Sequence, residues 1–117
     1  LTMIGHPRLF SQIIANLMMN TVMHAFAGRD SGMVKITVEK DPERLALIFT
    51  DDGNGIEPAL IDRIFDPFFT TRRNQGGTGL GLTIVHNIVH HNFGGEIFCR
   101  STPGAGTVIT IYIPVFA

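Results

Sequence analysis

Residues 65–82, with the sequence FDPFFTTRRNQGGTGLGL, constrain the fold of this chain most strongly. Four glycines occupy the six positions 76–81, and an apolar helical pattern follows them directly, so a loop has to lead into a helix here. A basic, Gly-rich loop before a helix directs backbone N–H groups and the helix dipole at a phosphate group. The same stretch is also compatible with an ordinary flexible surface loop.

The glycine spacing excludes two familiar phosphate-binding loops. A Rossmann fingerprint needs glycines at i, i+2 and i+5. Counted from Gly77 the last of these positions is Leu82, and counted from Gly79 it is Ile84. A Walker A loop needs Gly-Lys-Ser/Thr, and no lysine follows Lys40. A phosphate site in this chain is therefore of another kind.

The composition indicates one globular domain over residues 1–117, with 44% apolar residues and a net charge of −1. This charge argues against a general nucleic-acid surface, and no apolar run approaches the roughly 20 residues of a membrane span. Cys99 is the one cysteine, which excludes a disulfide framework and favours a cytoplasmic location. Because the chain does not begin with Met, we expect it to be part of a longer protein, for which a membrane anchor stays open.

The first helix is predicted from Pro7 to about Ala25, from apolar residues at 3.6-residue spacing between Leu9 and Met18. Another face of this helix aligns Asn16, Asn20 and His24 at i, i+4 and i+8. Such asparagines are either tolerated surface residues or neutral oxygen ligands for a hard cation or a phosphate-bound water.

Alternating apolar residues predict a half-buried strand over 34–38, a turn at 41–43 and a second strand that ends at Asp51. Asp51 shares a face with Leu45, Leu47 and Phe49, so its carboxylate is expected to face the core and to need a hydrogen-bond partner. Residues 51–56 form a tight loop, or an ordinary turn of the Asp-Gly and Asn-Gly type.

The rest of the chain predicts a short helix from Pro58, a helix with Ile84, Val85, Ile88 and Val89 on one face, and strands over 96–100 and 107–113. His86 and His90 lie at i, i+4, but we expect solvated histidines because no carboxylate is nearby in sequence. The order of elements predicts a two-layer α/β sandwich, with helices on one face of a largely antiparallel sheet.

Five signatures in this order resemble the ATP-binding catalytic domain of sensor histidine kinases, which share a superfamily with gyrase, mismatch-repair and heat-shock chaperone ATPases. They are NLMMN with His24, DDGNGI, FDPFFTT, GGTGLGL, and GAGT at 104–107. The resemblance extends from about residue 8 to 114. It implies the α+β Bergerat fold, with a mixed, mostly antiparallel sheet and about three helices on one face.

The resemblance implies that Asp51 accepts a hydrogen bond from the adenine amino group, and that Thr107 orients this aspartate or its water. It also implies a Mg2+ ligand in Asn20 with Asn16 as its companion. Many members of the family have Lys or Arg where this chain has Met23, and His24 is expected to supply part of that basic contact. The remaining ATP-binding residues implied for the base and the phosphates are Gly53, Gly55, Ile56, Arg72, Arg73, Gly77, Thr78, Gly79, Leu80, Gly81 and Leu82.

The hydrolytic branches of the superfamily place a glutamate four residues before the second asparagine, as general base for water. Asn16 stands there, and an amide cannot take a proton. The γ-phosphoryl group is therefore not expected to go to water. The resemblance implies that its acceptor is a histidine of a separate dimerisation domain, with a response regulator downstream. No contact of this domain with nucleic acid or membrane is expected. A serine/threonine kinase of the anti-sigma type and a non-catalytic nucleotide-binding module remain as alternatives. Residues 70–79 are expected to form a mobile lid, and His6 is not expected to be the acceptor.

Overall fold

A computed structural model describes residues 7–22, 28, 31–56, 58–61, 63–65 and 81–114 of the chain. Its helices and strands follow the predicted order. They are α1 (Pro7–Asn20), β1 (Val34–Lys40), β2 (Arg44–Asp51), α2 (Pro58–Ile61), α3 (Gly81–Asn87), β3 (Glu96–Thr102) and β4 (Gly106–Pro114). A π-helical segment, Ile88–Asn92, continues α3 without a break.

The four strands form one sheet in the order β1-β2-β4-β3, and all three pairings are antiparallel. The two central strands pair Leu47 with Ile111, Phe49 with Ile109 and Asp51 with Thr107. Every second residue of both strands is buried, which confirms the alternation predicted for them. Asp51 and Thr107 therefore lie side by side at one end of the sheet.

The helices cover the face of the sheet that Leu47 and Ile111 share. Both strand residues are at most 1% exposed, and Ile13 of α1 and Val85 of α3 are fully buried against the same core. Burial of a side chain of this size contributes about 1.5–3 kcal/mol. The core thus fixes α1 and α3 over the sheet, and the predicted two-layer sandwich is confirmed.

The prediction that β1 is half-buried is wrong for two of its apolar residues. Ile36 and Val38 are 44% and 45% exposed, although they pair with Phe49 and Leu47 and point to the same side of the sheet. β1 is an edge strand, and the exposure shows that none of the described helices covers it. Alternation alone cannot distinguish an edge strand from a central one.

Both α1 and α3 continue into π-helical backbone. α1 gives way to a π-turn at Thr21 and Val22, and the Thr21 hydroxyl donates to the Leu17 carbonyl at 3.0 Å. The π-helical segment that continues α3 ends at Asn92, and Gly94, two residues later, has a φ of +65° that suits glycine. In the described part of the chain, no helix has the length and apolarity needed to cross a membrane.

Candidate functional site

Asp51 is a buried carboxylate at the end of a central strand. Only 6% of the residue is exposed, and its Oδ1 accepts the backbone N–H of Gly53 at 2.9 Å. A hydrogen bond from a backbone N–H favours the charged form of a carboxylate and offsets part of its cost of burial. The prediction that this carboxylate faces the core and has a polar partner is confirmed.

Thr107 pairs with Asp51 on one side, and with Ser101 of β3 on its other side. The hydroxyl groups of Ser101 and Thr107 are in contact. Their oxygens are 2.9 Å apart. The Ser101 hydroxyl donates to the carbonyl of Gly106 at 2.9 Å and accepts the N–H of Ile56 at 2.7 Å. Since Ser101 has one hydroxyl proton, the proton between the two hydroxyls comes from Thr107. The lone pairs of the Thr107 oxygen then remain available as acceptors at the buried end of β4.

Ser101 is a site residue that the sequence reasoning missed. It shares the core-facing side of β3 with Ile97 and Cys99, which pair with Ile111 and Ile109. A hydroxyl group on that side has to find hydrogen-bond partners, as a carboxylate does. Continuing the alternation of Ile97 and Cys99 by one step would have pointed to Ser101.

The loop that follows Asp51 docks onto the turn between β3 and β4. The N–H of Gly104 donates to the carbonyl of Asn54 at 2.7 Å. Gly55 has a φ of +78°, and a Cβ there would collide with the carbonyl of Thr102. The missing side chain of Gly55 thus accommodates this backbone, and its predicted contact with the adenine base stays a prediction. Gly53 is buried and Ile56 packs against the core.

Gly106 brings β4 close to β2 at the site. Its φ is +119°, and a Cβ at this position would run into the backbone carbonyl of Asp51. A side chain here is therefore excluded by both backbone conformation and space. The glycine of GAGT that precedes Thr107 sets the distance between the two strands where Asp51 and Thr107 meet.

Asn16 and Asn20 lie one turn apart on α1, and both are half-buried. The side-chain Nδ2 of Asn16 is buried and has no hydrogen-bond partner among the described residues. A buried donor without a partner costs about 1–3 kcal/mol, so an oxygen atom of a ligand or of water would fit here. The third residue predicted on this face, His24, lies outside the described residues.

The first turn of α3 contains the last of the predicted phosphate-binding residues. Gly81 begins the helix, and the side chain of Leu82 packs into the core with 8% exposed. Leu82 can therefore offer a ligand only its backbone N–H. The predicted lid over 70–79 lies outside the described residues. So do the other predicted phosphate contacts, which are Arg72, Arg73, Gly77, Thr78, Gly79 and Leu80.

The charge of Asp51 also acts on Cys99. Burial, and then the negative charge of Asp51, raise the pKa of the Cys99 thiol to about 11. The thiol therefore stays protonated at neutral pH. Within the described ranges, no group of three or more His, Cys, Asp or Glu side chains could hold a metal ion.

The sequence matches, over residues 5–117, the family described as histidine kinase-, DNA gyrase B- and HSP90-like ATPase. Sensor histidine kinase ZraS of Salmonella typhi is 40% identical over 111 residues, which are 95% of this chain and 23% of the relative. Sensor protein TorS of Escherichia coli strain K12 is 34% identical over 113 residues, or 97% of this chain and 12% of the relative. The chain thus spans about a quarter of these curated relatives or less.

Solved structures agree with the sequence comparison. The catalytic domain of histidine kinase ThkA superposes with a TM-score of 0.79 at 32% identity, over 95% of this chain and 70% of that one. A mycobacterial sensor histidine kinase, MprB, gives a TM-score of 0.80 at 28% identity, over 97% of this chain and 74% of that one. Both superpositions cover nearly the whole chain and show that it shares the fold of these two proteins.

Proposed function

The chain belongs to the histidine kinase-, DNA gyrase B- and HSP90-like ATPase family, as a catalytic domain of the histidine-kinase type, and from this premise we propose that Asp51 binds the adenine of ATP. The observation that supports the proposal is the buried carboxylate of Asp51 next to Thr107. A carboxylate accepts a hydrogen bond from the adenine amino group. Guanine has a carbonyl oxygen at that position, so the same carboxylate would repel it.

The asparagine face of α1 is proposed to bind the phosphates together with Mg2+. Neutral amide oxygens suit a hard cation, so Asn20 would be the metal ligand, and the buried Nδ2 of Asn16 would donate to a phosphate or water oxygen. When bound, Mg2+ neutralises phosphate charge and orients the transferred group. From the sequence, His24, Arg72, Arg73 and the backbone of 77–82 would contact the phosphates.

The γ-phosphoryl group is proposed to go to a histidine of a dimerisation domain in the full-length protein, and from there to a response regulator. The relatives named above are sensor kinases, which favours this acceptor over the serine or threonine of an anti-sigma kinase and over a non-catalytic module. The Asn16 amide supports the same reading, because it cannot act as a general base for water.

Calorimetric titration with Mg-ATP tests adenine recognition by Asp51. A hydrogen bond to a charged group contributes about 1.5–3 kcal/mol, so Asp51→Ala should raise the Kd about ten- to a hundredfold. Asp52→Asn is the matched control, because Asp52 is exposed and an asparagine oxygen can still accept the N–H of Met33. Unchanged ATP affinity in a folded Asp51→Ala variant would contradict the proposal.

Parallel titrations with ATP and adenosine test the role of Asn20. Asn20→Ala should lose most of the Mg2+-dependent gain in ATP affinity while adenosine binding stays within about twofold, since adenosine has no phosphate for the metal to bridge. Asn87→Ala, on the exposed face of α3, is the control. Equal losses for ATP and adenosine would argue against a metal ligand.

Phosphoryl transfer is tested with γ-labelled ATP and the dimerisation domain of a relative supplied in trans. Acid-labile, base-stable label on that domain is the expected result. Release of free phosphate without any labelled protein would rule out the proposed acceptor.

A further inference from the structure

The face of the sheet that points away from α1 and α3, the outer face, has a regular pattern of side chains. It consists of every second residue of each strand, in alternation with the residues that face the core. The strand register arranges these residues in three rows across the sheet. From β1 to β3, the rows are Lys35, Thr50, Val108 and Arg100; Thr37, Ile48, Thr110 and Phe98; and Glu39, Ala46, Tyr112 and Glu96.

An aromatic cluster lies on the β3 side of the outer face. Phe98, in the middle row, is 50% exposed, and its ring meets the edge of Tyr112 with centroids 5.9 Å apart. The guanidinium of Arg44 lies 4.1 Å from the centroid of the Tyr112 ring. These residues line a depression of about 590 Å³. Exposed aromatic side chains of this kind are enriched where proteins contact one another.

The four charged residues of the three rows stand at the corners of the outer face. Lys35 and Arg100 lie at the same end of the two edge strands, and Glu39 and Glu96 lie at the other end. All four are exposed, and none of them forms an ion pair with another described residue. The outer face is therefore positive at one end and negative at the other, along both edges.

This charge pattern is complementary to itself about one twofold axis. When two outer faces pack about an axis that follows the middle row, Lys35 faces Glu39 of the second copy. Arg100 then faces Glu96 of the second copy. An axis along the strands would oppose Lys35 to Arg100 instead, and Glu39 to Glu96, which are pairs of like charge. Packed sheets are about 10 Å apart, a gap that two long charged side chains can bridge together. The charges thus select the axis across the strands.

We propose that the outer face is a self-association surface, through which two copies of this chain form an isologous dimer. The middle row faces itself across the axis, so the Phe98 ring of each copy lies at the depression of the other. Four strands of about seven residues give a face of roughly 19 by 24 Å. Since this is small for a specific interface, we expect a weak dimer, with a Kd between about 10 µM and 1 mM. Asp51 faces the opposite side of the sheet, so the association requires no nucleotide.

Sedimentation equilibrium of the 117-residue chain measures this Kd, and Phe98→Ala tests the aromatic contact. The loss of a central aromatic anchor should raise the Kd for dimerisation about tenfold or more. Val38→Ala is the matched control, because Val38 is 45% exposed on the other side of the sheet. It should leave the Kd within about twofold. An equal effect of the two variants, or none from Phe98→Ala, would contradict the proposal.

A charge exchange tests the axis itself. Glu96→Arg and Arg100→Glu each place like charges opposite one another, so each variant alone should associate about tenfold more weakly or worse. In an equimolar mixture, the two arginines of one variant face the two glutamates of the other. The mixture should therefore dimerise as the unchanged protein does. Lys40→Glu is the control, since it changes the net charge as Arg100→Glu does but lies off the outer face.

Three results would overturn the proposal. One is a chain that stays monomeric up to about 1 mM. Another is tighter association of Glu96→Arg or Arg100→Glu alone, which would require the axis along the strands. The third is a species larger than a dimer, because an isologous contact closes at two copies. Thermal unfolding of every variant checks that the protein is folded.

Discussion

At the scale of one residue, the pKa of the Cys99 thiol responds to the charge of Asp51. Because burial and the Asp51 carboxylate raise its pKa from 9.0 to about 11, the thiolate fraction near neutral pH should be roughly a hundredfold lower than for a free cysteine. The rate of alkylation by iodoacetamide in the folded chain should therefore keep rising with pH beyond 9. Asp51→Asn should shift this profile to lower pH, because it removes the negative charge. A profile with a midpoint near 9 would contradict the prediction.

Two site residues show what a sequence can reveal at this scale. The core-facing position of Asp51 was predictable because Asp51 alternates along the strand with Leu45, Leu47 and Phe49 on the same face. Its burial confirms that position. Ser101 was not predicted, because a hydroxyl is common on either face of a strand. Its hydrogen bonds go to two distant segments, to Ile56 in the loop after β2 and to Gly106 and Thr107 of β4, which only the folded chain brings together.

At the scale of elements, two nearby glycines can be compared, Gly104 in the turn between β3 and β4 and Gly106 at the start of β4. Both have positive φ, but a Cβ at Gly104 meets nothing within 4 Å, whereas one at Gly106 collides with the Asp51 carbonyl. Gly104→Ala should cost about 1–2 kcal/mol of unfolding free energy from backbone strain. Gly106→Ala should cost about 3 kcal/mol or more and should weaken ATP binding, because β4 has to move away from β2. Urea unfolding and ATP titration of both variants check this, and equal costs would contradict it.

The exposed face of β1 allows a second comparison between neighbouring elements. Val38 and Leu47 are paired in register and face the same way, yet Val38 is 45% exposed and Leu47 is 1% exposed. Val38→Thr should cost less than about 1 kcal/mol, because threonine keeps the β-branch and little burial is lost. Leu47→Ala should cost about 2–5 kcal/mol. Thermal unfolding of the two variants measures the difference, and similar costs would mean that β1 is covered in solution.

The elements themselves were predictable where the apolar period was long. Of the predicted stripe of Ile84, Val85, Ile88 and Val89, the last three are buried as expected, and Ile84 is half-buried against the core. The π-helical segment that begins at Ile88 was not predicted, because a turn one residue wider leaves the same apolar residues facing the core. Its bond from the Phe93 N–H to the Ile88 carbonyl, at 3.1 Å, depends on the backbone path and not on residue type.

At the scale of the whole molecule, ATP binding should stabilise the fold as a unit. The proposed adenine site joins both central strands and the loops at their ends, so the unfolded chain cannot form it. At about a hundredfold the Kd, a ligand adds roughly 2.7 kcal/mol, which corresponds to a rise in Tm on the order of 10 °C for a domain of this size. Scanning calorimetry with Mg-ATP should show this rise, and Asp51→Asn should reduce it. An equal rise with Mg-GTP would contradict adenine recognition by Asp51.

The sequence indicates the class of fold more completely than the geometry of the site. Alternation and helical period predict a sheet with helices on one face, and the structure confirms both. They do not show that Gly55 meets the β3–β4 turn or that Gly106 meets the Asp51 carbonyl, since both contacts depend on segments about 50 residues apart in sequence. The spacing of Asn16 and Asn20 predicts that they share one face of α1. It does not predict that the Asn16 amide is buried, because that depends on how the helices pack.

The pairing of β2 with β4 means that the centre of the sheet is assembled from opposite halves of the polypeptide. Asp51 comes from the first half and Thr107 from the second, and they are joined across the ladder. Doubling the length of a loop adds in general only about 0.6 kcal/mol to the cost of closing it, so insertions between residues 66 and 80 should cost the sheet little. Sequences of different length can therefore evolve there while Asp51 and Thr107 stay paired. Cutting the chain in that stretch would place Asp51 and Thr107 on two different fragments. Nucleotide binding could then be used to measure whether the two fragments reassemble.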